Sequence, residues 1–337
     1  MIKQCYNIAL IGCGSMGAAH LDDIYAREDA RVQYVCDIKE ERADFFARKY
    51  NAAHVATDYK KVVASDEVDI VIIATYPSSH LAILKECIAH KKHVICEKPL
   101  ASHLEEAEEM YRLIRENPDV KVLIGYILRH NKTWQKMAEM IRGGAIGFPI
   151  VMRMVQNHHT MDWEKYENLI REAAPILDCG VHYIDVMRWF TGAEVLEVSG
   201  IGQRTENALP EHIYNYGLMT AKLSDGSIAY YEAGWGNTIS SGNLKEFIGP
   251  CGRIRMTYEY ARSENQEEGD LIEYYRYPEG TYETINIKGK RKPTGAQYRA
   301  LLDMIEYDAP ANPSMEDVLA SYRIAKKADS IIRKTME

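Results

Sequence analysis

Asn7-Ile8-Ala9-Leu10-Ile11-Gly12-Cys13-Gly14-Ser15-Met16-Gly17 decides the fold. Ile8 to Ile11 is an unbroken apolar run, the pattern of a strand buried on both faces, and it leads straight into glycines. Their spacing divides the mechanical work. Gly12 permits a tight turn out of the strand, Gly14 lets backbone approach a ligand with no side chain between, and Gly17 lets the next helix pack closely. A helix is predicted from Ser15 to Arg27. Its first N–H groups, around Ser15 and Met16 at the positive end of the helix dipole, suit a pair of phosphates.

A second apolar strand, Val32 to Cys36, ends in Asp37, about twenty residues beyond Gly17, where a dinucleotide fingerprint requires an acid. A carboxylate there accepts hydrogen bonds from ribose hydroxyls and repels a 2′-phosphate, so the spacing predicts NAD over NADP. Lys39 and Arg42 lie close enough to leave NADP open. The competing reading is a glycine turn in some unrelated α/β protein.

A chain of 337 residues has room for two domains with sizeable cores. Hydrophobic content of 46% and charged content of 27% place it among ordinary globular proteins. A net charge of −8 with no basic face argues against nucleic acid as a partner. No apolar run approaches the roughly twenty residues of a membrane span. The amino terminus leads directly into the first strand, which leaves no room for a secretory signal and predicts a cytoplasmic protein. Seven cysteines, odd in number and without a CxxC pair, fit buried reduced thiols there.

Strands and helices alternate through the first third, the signature of a doubly wound parallel sheet. A helix from Glu40 to Tyr50, a strand near His54, a short helix capped by Asp58 and a buried strand from Asp69 to Ala74 follow in turn. Thr75-Tyr76-Pro77-Ser78-Ser79-His80 then enters a helix with Ser78 as a candidate cap. In a doubly wound sheet that loop lies at the carboxyl ends of the strands, so Thr75, Tyr76, Pro77 and His80 are candidate cofactor contacts. His93 to Cys96 forms the next strand and ends in Glu97-Lys98-Pro99 at the same edge, before a helix capped by Ser102. Val120 to Ile124 completes the sheet. The first domain is therefore read as residues 1–125.

Residues 126–337 read as a second domain, an α+β arrangement around a large, mainly antiparallel sheet, with its last helix, Met315 to Lys334, free to pack back on the first. Ile213 to Leu223 and Ile228 to Trp235 flank Ser224-Asp225-Gly226-Ser227 as a hairpin. Within this domain, Pro175 opens a helical pattern through Phe190 that carries Asp178, His182 and Asp185 at spacings of four and three, on one face. Gly180 leaves room beside them for a ligand. An Asp–His pair on an apolar helix is costly to bury without partners or a task.

Taken together, GxGxxG, the acid after the second strand, Glu-Lys-Pro and the later Asp-x-x-x-His-x-x-Asp resemble the glucose–fructose oxidoreductase / inositol dehydrogenase / rhizopine-catabolism (Gfo/Idh/MocA) family over essentially the whole chain. The resemblance implies a catalytic triad of Lys98, Asp178 and His182, with Asp185 at a position that commonly binds substrate hydroxyls; Glu97, at the strand edge beside the cofactor, helps position Lys98. It implies a hydride exchanged between nicotinamide and a secondary alcohol or ketone of a sugar, sugar derivative or cyclitol. His182 is then the general acid/base, Asp178 orients its imidazole, and Lys98 stabilises the developing alkoxide. Tyr126 and Arg129 on the loop after the first domain, Asn157, His158 and Trp163 after a strand from Pro149 to Gln156, and Trp235 are further candidate substrate contacts. His158, His159, Asp162 and His182 are metal-capable, but their spacing matches no known metal pattern and none is assigned. Ala173-Ala174 stands where many members of the family carry glycines, which bears on substrate shape. A homodimer or homotetramer is expected, since an open sheet face needs cover. Two other readings share the cofactor: a glycosidase that oxidises its substrate transiently, marked by retained NAD and cleavage without net reduction, and a non-catalytic sensor.

Overall fold

The structure is a computed structural model that describes residues 3–160, 163–263 and 267–336, with backbone alone for residues 164 and 165. The chain packs as two compact units: everything up to Ile127 together with Lys292–Leu319, and Leu128–Arg291 together with the segment from Ala320.

The first unit is a parallel sheet built from β1 (Tyr6–Ile11), β2 (Ala30–Cys36), β3 (His54–Ala56), β4 (Ile70–Ile73), β5 (His93–Cys96) and β6 (Val122–Ile124), in the order β3-β2-β1-β4-β5-β6. The order reverses between β1 and β4, the place where doubly wound sheets open a crevice for ligands. Helices α1 (Ser15–Ile24), α2 (Glu40–Tyr50), α3 (Tyr59–Val63), α4 (His80–Ala89) and α5 (Leu104–Glu116) connect the strands. β1 and β4 are almost wholly buried because helices cover both faces, which explains their continuous apolar runs. Asp58 caps α3 by accepting the Lys60 N–H. The other two capping expectations are corrected. Pro77–Ser79 forms a 3-10 turn, so α4 starts only at His80, and α5 is capped not by Ser102 but by His103, in a capping box with Glu106. α1 stops at Ile24, short of the expected Arg27.

The second unit holds α6 (Lys132–Arg142), β7 (Val151–His159), α7 (Trp163–Glu172), α8 (Pro175–Asp178), α9 (Gly180–Thr191), and strands β8 (Val195–Gln203), β9 (Tyr216–Leu223), β10 (Ile228–Gly236), β11 (Lys245–Gly249), β12 (Gly252–Thr257), β13 (Asp270–Arg276) and β14 (Thr281–Ile287). The eight strands run β14-β13-β12-β11-β7-β10-β9-β8, antiparallel throughout except for the parallel pair β7·β10. The hairpin around Ser224–Ser227 forms, with its first strand starting at Tyr216 rather than Ile213. α8 and α9 lie against β9 and β10. The single helix expected from Pro175 to Phe190 is broken at Cys179, where the His182 N–H reaches back only three residues, to the Cys179 carbonyl.

After β14 the chain re-enters the first unit through α10 (Thr294–Tyr307), a helix the sequence pattern did not single out. Its Tyr298, Leu301, Leu302 and Met304 join the core of Ile8, Leu10, Leu21 and Ile24. α11 (Met315–Lys334) ends the chain at the predicted boundaries. No helix among the described residues is long and apolar enough to cross a membrane.

Candidate active site

In the first unit the glycine loop is shaped by what a methyl group would meet. At Gly12, where φ is +101°, an added Cβ would sit 2.5 Å from the Ala74 carbonyl oxygen at the end of β4. At Gly17 it would drive into the Gly12 carbonyl oxygen and press on Leu10. At Gly14 it would meet nothing within 4 Å. The close approaches on either side leave an open cradle at Gly14, beneath the first turn of α1, where Ser15 and Met16 begin the helix. Asp37 braces this cradle. One carboxylate oxygen accepts the Cys13 N–H at 2.8 Å and the other the Lys39 N–H at 2.9 Å. Cys13 and Cys36 flank it as inert thiols, each pushed up to about 12 by burial and the Asp37 charge.

Two neighbours of the cradle escaped the sequence reading. Ile38, 90% exposed directly after Asp37, puts a bare apolar side chain beside the carboxylate. Lys292, at the start of the returning segment, brings its amine to 3.5 Å from the Met16 sulfur. Neither has a signal in sequence, since the first looks like any strand-end residue and the second lies 276 positions from its contact.

The Thr75–His80 loop divides by depth. Thr75 receives the Ser79 hydroxyl at 2.7 Å and Tyr76 is half exposed, whereas Pro77 and His80 are buried. Both His80 ring nitrogens lie 3.2 Å from backbone carbonyls, of Leu100 and Thr75, and burial holds the imidazole below its usual value. His80 thus pins the loop from beneath. At the end of β5, Glu97 is buried against His20 of α1, and the Lys98–Pro99 bond is cis. Lys98 is half-buried. Tyr126 is buried and gives its hydroxyl to the Val318 carbonyl at 3.3 Å.

In the second unit Asp178, His182 and Asp185 are all buried. Asp178 ends α8 with the Cys179 thiol 3.4 Å from its carboxylate, and His182 sits in the first turn of α9. Asp185 is committed elsewhere than expected. It accepts two hydrogen bonds from Arg129, at 2.7 and 2.8 Å, and the same guanidinium lies over the Trp189 ring at 4.8 Å. Gly180 does not open onto a ligand either, because its missing Cβ faces the Tyr231 ring of β10 at 3.4 Å.

Strand alternation separates other candidates. Asn157 and His158 are consecutive on β7, so their side chains leave opposite faces of the sheet. Asn157 bonds Glu232, which Tyr216 also contacts, both at 2.5 Å. His158 turns to the other face, near Trp235 and Tyr166. Trp235 is 1% exposed, packed edge-on to Tyr166 at 5.5 Å, so its ring belongs to the core. Trp163 opens α7, half-buried. Lys245 of β11 was not anticipated. Its amine is buried among the Asn243 side chain and the Val155 and Leu244 carbonyls, 4.7 Å from the Tyr183 ring, and burial pulls it well below the usual lysine range. Asp162 lies outside the described residues, and among these no group of three or more His, Cys, Asp or Glu side chains is placed to hold a metal ion.

A doubly wound unit with an open cradle at a helix start, braced by an acid, defines a dinucleotide-binding architecture. Residues 6–126 match the family model described as "Oxidoreductase family, NAD-binding Rossmann fold" (GFO_IDH_MocA), and residues 134–255 match the GFO/IDH/MocA C-terminal domain. The chain belongs to the Gfo/Idh/MocA family and is an oxidoreductase with a nicotinamide-dinucleotide-binding domain. It is similar to inositol 2-dehydrogenase of Rubrobacter xylanophilus, 25% identical with 97% of this chain and 90% of the relative covered. In fold it resembles scyllo-inositol dehydrogenase from Lactobacillus casei, solved with NAD(H) and scyllo-inositol (TM-score 0.78, 22% identity, 98% and 97% covered). It also resembles KijD10, a 3-ketoreductase from Actinomadura kijaniata solved with NADP (TM-score 0.82, 18% identity, 97% and 98% covered).

Proposed function

We propose that the chain is an NAD-dependent dehydrogenase of CH–OH groups that interconverts a secondary alcohol and ketone of a cyclitol, sugar or sugar derivative, inositols first among them. The observation that carries this reading is similarity to an inositol 2-dehydrogenase over 97% of the chain, in a sequence that keeps Lys98, Asp178 and His182. The names of the relatives and of the solved structures reported above speak of dehydrogenation and ketoreduction, and none favours the glycosidase alternative.

NAD over NADP is supported by Asp37, whose carboxylate is fixed by two backbone N–H groups at the end of β2 and would repel a 2′-phosphate. The Gly14 cradle suits the pyrophosphate, and Ile38 suits the flat face of the base. Thr75, Tyr76 and Pro77 flank the dinucleotide. When bound, the nicotinamide supplies the hydride acceptor.

The chain's own groups handle the proton and the charge. His182 takes the hydroxyl proton on an imidazole nitrogen while Asp178 orients the ring and stabilises its cationic form. Lys98 donates a hydrogen bond to the reacting oxygen and lowers the energy of the alkoxide. His158 and Trp163 remain substrate-side candidates, Tyr126 is buried with its hydroxyl on the Val318 carbonyl, and Arg129 acts by holding Asp185 rather than by meeting a free anion. We further propose a homodimer or homotetramer in the cytoplasm; the oligomer is supported by apolar side chains left bare on the sheet, Ile201 at 62% and Ile228 at 50% exposed. Light scattering at the 38.5 kDa of one chain would contradict the oligomer.

The test is a polyol panel with NAD or NADP, read at the absorbance band of reduced nicotinamide. Turnover with an inositol and NAD, lowered by about 10²–10⁴-fold in Lys98→Ala and His182→Ala, is expected. Either variant turning over like the parent overturns the reading.

A further inference from the structure

His20, buried against Glu97, has no part in the mechanism above. His20 follows Gly17 by one turn of α1, and its side chain reaches the carboxyl edge of β5. Its Nε2 lies 2.7 Å from Glu97 Oε1, with His20 0% and Glu97 4% exposed. The other ring nitrogen is buried with no partner among the described residues, so Glu97 is the hydrogen-bonded anchor of the ring there. The second carboxylate oxygen accepts the Lys98 backbone N–H at 3.3 Å. A wall closes the carboxylate in, since a methyl on Gly125 would come within 3.0–3.1 Å of its Cδ and both oxygens.

Burying a carboxylate costs several kcal/mol unless partners offset it, and an apolar pair of similar volume is often no less stable. Burial alone would push the Glu97 carboxyl up, yet the His20 hydrogen bond and the His20 and Lys98 charges hold it below the usual range. The arrangement thus keeps a charge where packing alone would not. It also joins two pieces of the first unit: the helix whose first turn forms the cradle, and the segment that carries Lys98.

We propose that His20 is a positioning residue for Lys98, acting through Glu97, so that the glycine-loop helix sets where the lysine backbone stands. This rests on the reading that Lys98 serves the reaction. A shift of about 1 Å in such a group lowers turnover by about 10²-fold.

The experiment compares His20→Leu, His20→Gln and Gly125→Ala with the parent enzyme and with Lys98→Ala, measuring kcat, KM, melting temperature and NADH affinity by nicotinamide fluorescence. The expectation is a kcat about 10²-fold lower in His20→Leu with NADH affinity and KM little changed. His20→Gln, whose amide N–H reaches the same carboxylate oxygen, restores most of it. Gly125→Ala, which presses on the carboxylate with His20 intact, lowers kcat in the same way, and it decides the matter if His20→Leu fails to fold. A folded His20→Leu or Gly125→Ala with parental kcat overturns the inference, as does a His20→Gln no better than His20→Leu. Parental turnover in Lys98→Ala instead overturns the underlying reading, and the inference with it.

Discussion

At the level of single residues, the site separates side chains whose role their sequence neighbourhood announces from those defined by a distant partner. Lys98 belongs to the first kind by position, because Glu-Lys-Pro at a strand end is visible in the chain, while its proposed role comes from the family resemblance. Asp185 belongs to the second. The family resemblance implied a substrate contact for it, but its partner Arg129 lies 56 positions away and takes both carboxylate oxygens. Removing one member of a buried ion pair strands the other charge, at a cost of about 3–5 kcal/mol. Asp185→Asn should therefore lower the unfolding free energy by that much, read as a lower urea midpoint at unchanged slope. A raised KM with an unchanged midpoint would return Asp185 to the substrate. The opposed faces of Asn157 and His158 were readable in principle, because adjacent residues of a strand cannot share a face. The burial of Trp235 was not, since it depends on Tyr166 packed from α7.

At the level of elements, the glycine loop was the most legible feature, because backbone sterics act locally and one residue type relieves them. Gly14 and Gly17 make opposite predictions. Gly17→Ala forces α1 away from the Gly12 carbonyl and should destabilise the fold by about 1–3 kcal/mol. Gly14→Ala projects a methyl into open space, so its melting temperature should stay at the parental value while NADH affinity falls about tenfold, near 1.4 kcal/mol. Calorimetry and fluorescence titration together check both, and a stable Gly17→Ala or a tight-binding Gly14→Ala would refute the respective half. The break between α8 and α9 was not legible, because Cys179 keeps right-handed helical angles and only the hydrogen-bond register slips. α10 was hidden for a related reason. Its apolar residues Tyr298, Leu301, Leu302 and Met304 are read as a core face only once it is known which core they join.

At the level of the whole chain, alternation of strands and helices disclosed the parallel sheet, and hairpin spacing disclosed the antiparallel one. The return of Lys292–Leu319 to the first unit stayed hidden, since local pattern says nothing of which domain a late helix serves. Stability should carry a signature of the buried Glu97. Its folded-state carboxyl is held low, so the unfolded chain binds more protons through the acid range. Its contribution is complete above the unfolded value of about 4.3 and is lost as pH falls through the lower folded value. Urea midpoints of the parent should therefore fall more steeply below about pH 4.3 than those of Glu97→Gln, and parallel curves would refute this. The most direct test of the central claim follows the transferred atom. The enzyme is supplied with NAD and an inositol deuterated at its ring carbons, and the reduced nicotinamide is weighed by mass spectrometry. One deuterium per NADH formed, with an inosose as the other product, is the predicted result; deuterium absent from the nicotinamide, or a substrate changed with no NADH accumulating, would contradict it.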